Sequence, residues 1–239
     1  MVNFPQKNNS FYCLRDANFT NDFPSTNRAM TEPDGLLAAG GSLKTTNLLA
    51  AYKKGIFPWY SGDGPILWWS PKMRPIIEPA KMKISRSLHK TIKSNKYSIS
   101  YNQCFEKVIT SCAAIDGRSE NSWITSEMRD SYIALHHLGH AHSVECWMDG
   151  VLSGGLYGVS LGRIFYGESM FHKERDASKV ALADLCKNLA SWGYKIVDCQ
   201  VSSEHLKSMG ARLITREEFE TILVENLEKE PDAEAWRIN

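Results

Sequence analysis

The sequence has almost no charge imbalance: 28 Lys and Arg stand against 27 Asp and Glu, a formal net charge of +1. Overall charge therefore argues neither for nor against a polyanionic partner. No stretch approaches the ~18 apolar residues that a membrane-spanning helix needs. The opening Met1-Val2-Asn3-Phe4-Pro5-Gln6-Lys7 has no charged leader followed by an apolar run. These absences predict a cytoplasmic protein with no membrane partner. Six cysteines are spread along the chain without C-x-x-C spacing, which excludes a zinc ribbon and a thioredoxin motif and is consistent with reduced thiols. No G-x-G-x-x-G follows a strand, and no G-x-x-x-x-G-K-[ST] is present. Nucleotide-binding loops of those kinds are thereby excluded.

What is present is unevenly placed. Residues 72–96 hold eight Lys and Arg against one acid, and residues 216–239 hold eight acids against three bases. One face is thus suited to a polyanion and another repels it, or both are solvated surface. Residues 1 to about 30 read as a polar, irregular arm. Pro33-Asp34-Gly35 signals a turn, and Ser42 is a candidate cap for a helix over 45–54 ended by Gly55. Residues 56–71, with three Trp broken by Pro and Gly, read as an aromatic loop region without regular elements. A boundary is placed at Arg74 and Pro75, dividing the chain into residues 1–74 and 75–239.

Beyond it, alternation predicts strands over 81–85 and 97–101. Helices are expected over 86–95, around 105–112 and over 126–138. The first of these puts Leu88 and Ile92 on one side and Arg86, Lys90 and Lys93 on the other. Strands over 141–147 and 151–159 flank Asp149-Gly150, a hairpin turn signal, and a third follows over 164–171. A helix with Leu182, Leu185, Leu189 and Trp192 on one side, a strand over 195–201 and a helix over 215–228 complete the chain. This order of elements indicates an α+β fold.

Polar interruptions of apolar strands are the candidates for chemistry. Asp198 and Gln200 stand at i and i+2 of a strand, on one face. Glu168 interrupts the run between Phe165 and Phe171. A carboxylate there is costly to bury unless it is paired or binds a cation. Either a structural hydrogen-bond network or a site for an amine satisfies that requirement, and the spacing allows both. Gly154, Gly155, Gly158 and Gly167 lie in or beside these strands and mark bulges, a close ligand approach or simple curvature. His136, His137, His140 and His142 cluster, but they straddle a helix end without Cys or carboxylate at ligand spacing, so no metal is expected.

Several runs appear in one order: Glu32-Pro33-Asp34-Gly35-Leu36-Leu37-Ala38-Ala39-Gly40-Gly41, Gly55-Ile56-Phe57-Pro58-Trp59-Tyr60 and Leu67-Trp68-Trp69-Ser70-Pro71. They are followed by Trp123-Ile124-Thr125, the segment Leu138-Gly139-His140-Ala141-His142-Ser143-Val144-Glu145, then Gly167-Glu168-Ser169-Met170-Phe171, Ala177-Ser178-Lys179 and Asp198-Cys199-Gln200. Together they resemble the bacterial leucyl/phenylalanyl-tRNA–protein transferases, over about residues 32–215. Ser42 departs from the acid common there, and the first thirty and last twenty residues match poorly.

The resemblance implies a small N-terminal domain packed on a domain resembling the N-acetyltransferase fold, with a mixed, mostly antiparallel sheet. It implies transfer of Leu, Phe or Met from aminoacyl-tRNA to a protein beginning with Arg or Lys, marking that protein for degradation, by a monomer without cofactors. It places Asp198 and Gln200 at the reacting amine, with Glu168 as a further partner for the cationic acceptor. An amide oxygen is scarcely basic, so Gln200 is expected to orient the amine while Asp198 favours its deprotonation. Leu156, Phe165, Leu182, Leu185 and Val197 match the donor side-chain pocket. Trp59 and Trp123 match positions that stack on the terminal adenosine, with core packing as the competing reading. Arg86, Lys90 and Lys93 are the candidate tRNA backbone contacts. The rivals are a CoA-dependent N-acetyltransferase and a non-catalytic RNA-binding module. The first is opposed by residues 171–178, which have no glycine for a pyrophosphate loop and two acids.

Overall fold

A computed structural model describes residues 10–14, 22–60, 64–114 and 123–237. The architecture is α+β, built on two sheets. The smaller contains β1 (Tyr12–Leu14), β2 (Leu36–Gly40), β3 (Phe57–Pro58) and β4 (Leu67–Trp69) in the order β1-β2-β4-β3. The aromatic stretch is therefore more regular than expected. Phe57 pairs with Trp69 and Pro58 with Trp68 in an antiparallel ladder. Proline is tolerated because β3 is an edge strand, where one row of N–H groups needs no partner. Trp68 is fully buried, and Phe23 packs edge-on against it at 4.7 Å. Part of the expected arm thus belongs to this core. Helix α1 (Thr45–Lys53) follows β2; its cap is Lys44 rather than Ser42, whose carbonyl and hydroxyl instead accept bonds from the Asn47 amide.

The larger sheet has the order β11-β5-β10-β9-β8-β7-β6. Its strands are β5 (Met73–Ile77), β6 (Ser98–Tyr101), β7 (Ala141–Met148), β8 (Val151–Leu161), β9 (Ile164–His172), β10 (Ile196–Asp198) and β11 (Arg212–Thr215). Only β9 and β10 pair in parallel; every other neighbour is antiparallel. Asp149 and Gly150 both have positive φ, 51° and 76°, as the two-residue β7–β8 hairpin requires. Residues 74 and 75, where the sequence places a boundary, lie inside β5.

Both faces of the larger sheet are covered. Leu156 and Phe165 face the helix α5 (Ala177–Ser191), with its buried Leu182, Leu185 and Leu189. Their neighbours Tyr157 and Tyr166 face the opposite core, shared with α1, α3 (Phe105–Ala113), α4 (Ser126–His137) and α7 (Arg216–Asn226). A Cβ at Gly154 would lie 2.6 Å from Ala177 Cβ, so that glycine seats α5 on the sheet rather than admitting a ligand. Helix α2 (Arg86–Lys93) is capped by Ser85, whose hydroxyl accepts from Leu88 N–H. Short helix α6 (Glu204–Ser208) precedes β11.

Three expectations are corrected. Residues 82–85 form no strand: Ile84 is exposed and its alternation has no partner strand, while the sheet takes Met73–Ile77 instead. Ile92 is exposed, so only Leu88 anchors α2. The strand over 195–201 stops at Asp198. Gln200 therefore does not share a strand face with Asp198; it lies just beyond, in the left-handed region at φ 58°.

Candidate functional site

The parallel pairing of β9 with β10 runs through Ile164↔Ile196, Phe165↔Val197 and Tyr166↔Asp198, and then stops. Two local features separate the strands. On β9, Gly167 pairs with Gly158 and Ser169 with Tyr157, so Glu168 is the extra, unpaired residue of a β-bulge. A Cβ at Gly158 would lie 2.2 Å from the Tyr166 carbonyl, so only glycine permits this crossing of the strands. On β10, the backbone N–H of Gln200 turns back onto Asp198 Oδ1 at 2.9 Å. The left-handed conformation, unfavourable for most side chains, is held by that bond.

Glu168 is buried, and its carboxylate accepts three hydrogen bonds. Tyr52 Oη (from α1) and Gln200 Nε2 donate to Oε1 at 2.7 Å each, and Tyr132 Oη (from α4) donates to Oε2 at 2.8 Å. Burial disfavours the charged form more strongly than these bonds favour it, and the carboxyl is pushed up from 4.5 to about 7. Burial and the adjacent carboxylate hold both tyrosine hydroxyls protonated, as donors. A carboxylate has about four acceptor positions, so this one retains capacity on Oε2 for a further donor.

Asp198 is fully buried and faces the guanidinium of Arg74, a member of the basic run over residues 72–96. Arg74 Nε and Nη2 donate to Oδ1 and Oδ2 at 2.8 Å each, and Nη1 donates to the Gly55 carbonyl at 3.0 Å. The guanidinium lies between the Phe57 and Phe219 rings, 4.7 and 4.5 Å from their centroids. Arg74 thus ties the smaller sheet, α7 and β10 together at one point. The available signal was its position inside Met73-Arg74-Pro75-Ile76-Ile77, where a base interrupts an apolar strand just as Asp198 interrupts another. Both oxygens of Asp198 are engaged by Arg74, and Oδ1 also holds Gln200. Gln200 directs its amide N–H at Glu168, and no described residue bonds its carbonyl oxygen.

The splayed strands open into a cavity of ≈ 120 Å3. Leu156, Phe165, Leu182 and Val197 line it, with Gly167 and Glu168 at the strand separation. Leu185 does not line it: one turn further along α5 it is fully buried in the core beneath. Tyr60 Oη lies 3.2 Å from Thr125 Oγ1, which sets the segments carrying Trp59 and Trp123 side by side. Trp59 is 43% exposed against the half-buried Trp69, and Trp123 is half-buried at the edge of the core. Arg86, Lys90 and Lys93 are all exposed on α2, and none forms an ion pair among the described residues.

Two further features bear on function. Among the described residues no three His, Cys, Asp or Glu are placed to hold a metal ion, and the imidazoles pack instead: His136 stacks on Phe105 at 4.4 Å and His142 on Trp236 at 3.9 Å. At the start of α5, Asp176 has φ 65° and pairs with Lys179 at 3.3 Å. A carboxylate fixed at this helix N-terminus opposes the pyrophosphate of CoA there.

Comparisons with known proteins identify the family. A family model described as leucyl/phenylalanyl-tRNA protein transferase matches residues 76–224, and one for the N-terminal domain of the same family matches residues 41–72. The leucyl/phenylalanyl-tRNA–protein transferase of Methylococcus capsulatus is 52% identical over 215 residues, covering 90% of this chain and 92% of the relative. That of Hydrogenovibrio crunogenus is 50% identical over 217 residues, covering 90% and 85%. Among solved structures, FemX is similar with a TM-score of 0.46 at 12% identity, covering 72% of this chain and 66% of that one.

Proposed function

The chain belongs to the leucyl/phenylalanyl-tRNA protein transferase family, and we propose that it takes Leu, Phe or Met from tRNA and adds it to proteins beginning with Arg or Lys. It is an aminoacyltransferase that uses aminoacyl-tRNA as donor and protein as acceptor. Marking the product for degradation, action in the cytoplasm and a monomeric state belong to the same proposal. So does the division into residues 1–74 and 75–239, with β5 as the strand where the two meet.

One observation carries the reading of the site. An apolar cavity of ≈ 120 Å3 meets a buried carboxylate titrating near neutrality at the point where two parallel strands part. An apolar cavity of about 150 Å3 holds benzene, so this one, slightly smaller but open at the strand separation, is on the scale of a single apolar side chain. Leu156, Phe165, Leu182 and Val197 surround the donor side chain, and Leu185 supports them from below.

The ester of aminoacyl-tRNA is already activated. The acceptor nitrogen attacks its carbonyl carbon, a C–N bond forms, and the bond to the ribose oxygen breaks. The ammonium loses one proton before attack; the nitrogen loses a second as the amide forms, and the leaving ribose oxygen gains it. Glu168, with its pKa near 7, receives the proton at neutral pH. The free Gln200 carbonyl orients the amine as acceptor. Asp198 acts through another residue: held by Arg74, it fixes the backbone of Gln200. Trp59 and Trp123 flank the terminal adenosine, where stacking is worth about 1–3 kcal/mol per base. Arg86, Lys90 and Lys93 meet the tRNA backbone.

The test is incubation with tRNA carrying labelled Phe and a peptide beginning with Arg. Label in the peptide is the expected result. Acetylation of the peptide from acetyl-CoA, with no label from tRNA, contradicts the proposal.

A further inference from the structure

The segment after α7 folds back onto the larger sheet, beyond the residues 76–224 matched by the family model. Arg163 Nε donates to the Glu230 carbonyl at 3.0 Å, and Asp232 N–H donates to the Trp192 carbonyl at 3.0 Å. These bonds carry Trp236 into an aromatic nest. Its ring stacks on His142 at 3.9 Å with planes 4° apart. Trp192 lies 5.1 Å away, and the indole N–H donates to Tyr194 Oη at 2.7 Å. The remaining near face of the nest is Phe165, at 5.5 Å and 28°. Phe165 also lines the apolar cavity between β9 and β10.

We propose that Trp236 is a specificity-positioning residue: it stops Phe165 from retreating and so sets the depth of the donor side-chain pocket. The inference rests on the reading of that cavity as the donor pocket. The physical basis is packing. Side chains in a close-packed interior move only where a neighbour leaves room. The indole is fixed by a hydrogen bond at one edge and a parallel stack on one face, so it offers Phe165 none. Burial lowers the His142 imidazole to about 3, so the stacked ring is neutral and the nest carries no charge at neutral pH. Removing the indole creates space directly behind Phe165, and the phenyl ring can shift into it. A pocket deepened by the size of one or two methylenes favours bulkier donors.

The experiment compares kcat/KM for Phe-charged and Leu-charged tRNA in wild type, Trp236→Ala and Trp236→Phe, with Tm measured on each. Trp236→Ala should raise the Phe-to-Leu ratio by about tenfold, and Trp236→Phe should restore most of the original ratio. The KM for tRNA should change little, because α2 is untouched. An unchanged ratio in a folded Trp236→Ala protein overturns the inference and leaves Trp236 a purely structural anchor. If Trp236→Ala does not fold, Trp236→Leu and Trp236→Phe decide by the same ratio. Wild type that transfers neither amino acid defeats the donor-pocket reading itself, which distinguishes the two failures.

Discussion

Replacing Arg74 with Met tests the least expected element of the site. The substitution roughly preserves length and apolar bulk while removing the charge that faces Asp198. Both partners are essentially inaccessible, at 1% and 0% exposure, so water cannot take the place of the guanidinium. Removing one partner of a buried pair costs about 3–5 kcal/mol, because the other charge remains unpaired. The bond to the Gly55 carbonyl and the contacts with Phe57 and Phe219 place the loss toward the upper end. Asp198→Asn should be costly for the converse reason. In the double variant neither charge is left buried alone, so its cost should fall short of the two single costs together by about 2–3 kcal/mol. Urea unfolding at pH 7, with ΔG extrapolated to water and the slope m compared among the four proteins, gives the coupling. A loss below about 1 kcal/mol for Arg74→Met, or simple additivity in the double variant, would refute the buried clamp. Transfer activity should fall in the same variants, since Gln200 is held by Asp198.

Glu168 makes stability depend on pH. Its carboxyl rises from 4.5 to about 7 on folding, so folding favours the protonated form. The contribution is complete below pH 4.5 and is lost as pH rises through about 7, which at about 1.4 kcal/mol per pH unit amounts to about 3 kcal/mol. Glu168→Gln should flatten the unfolding free energy across that window; an identical slope in both proteins contradicts the assignment. Replacing Arg86, Lys90 and Lys93 with Ala should lower the salt dependence of tRNA binding by about 1 in log–log slope for each residue touching phosphate. Unchanged slope and affinity would place the tRNA elsewhere. Val197→Phe should fill the ≈ 120 Å3 cavity and reduce kcat/KM for Phe-charged tRNA by about 10–200-fold; an undiminished rate would move the donor pocket.

Long periodic segments were legible from sequence. Helix α4, strands β7 to β9 and the Asp149-Gly150 hairpin follow from local pattern and turn chemistry, and Glu168 stood out as a carboxylate in an apolar strand. What was hidden depends on partners distant in the chain. β3 and β4 are only two and three residues long and exist because they pair with each other and with β2. β11 is a strand because β5 lies beside it, whereas the better alternation at 82–85 has no neighbour. The Arg74–Asp198 pair spans 124 residues, and a base within a basic run looks like surface until its partner is located. Gln200 fell into a strand by spacing, but a bond from its own N–H to Asp198 ends that strand two residues earlier. The aromatic nest around Trp236 brings residues 142, 165, 192 and 194 against a segment with no periodic pattern of its own.

In the proposed reaction Glu168 and Gln200 handle the amine while α2 and the tryptophans hold the tRNA. Single-turnover transfer of labelled Phe from tRNA to an Arg-initiated peptide, measured beside the Kd for the same tRNA, tests it directly. Glu168→Gln and Gln200→Ala should each slow transfer by about a hundredfold while leaving the tRNA Kd unchanged. Full transfer rates in both variants, or a loss explained entirely by weaker tRNA binding, would contradict the account.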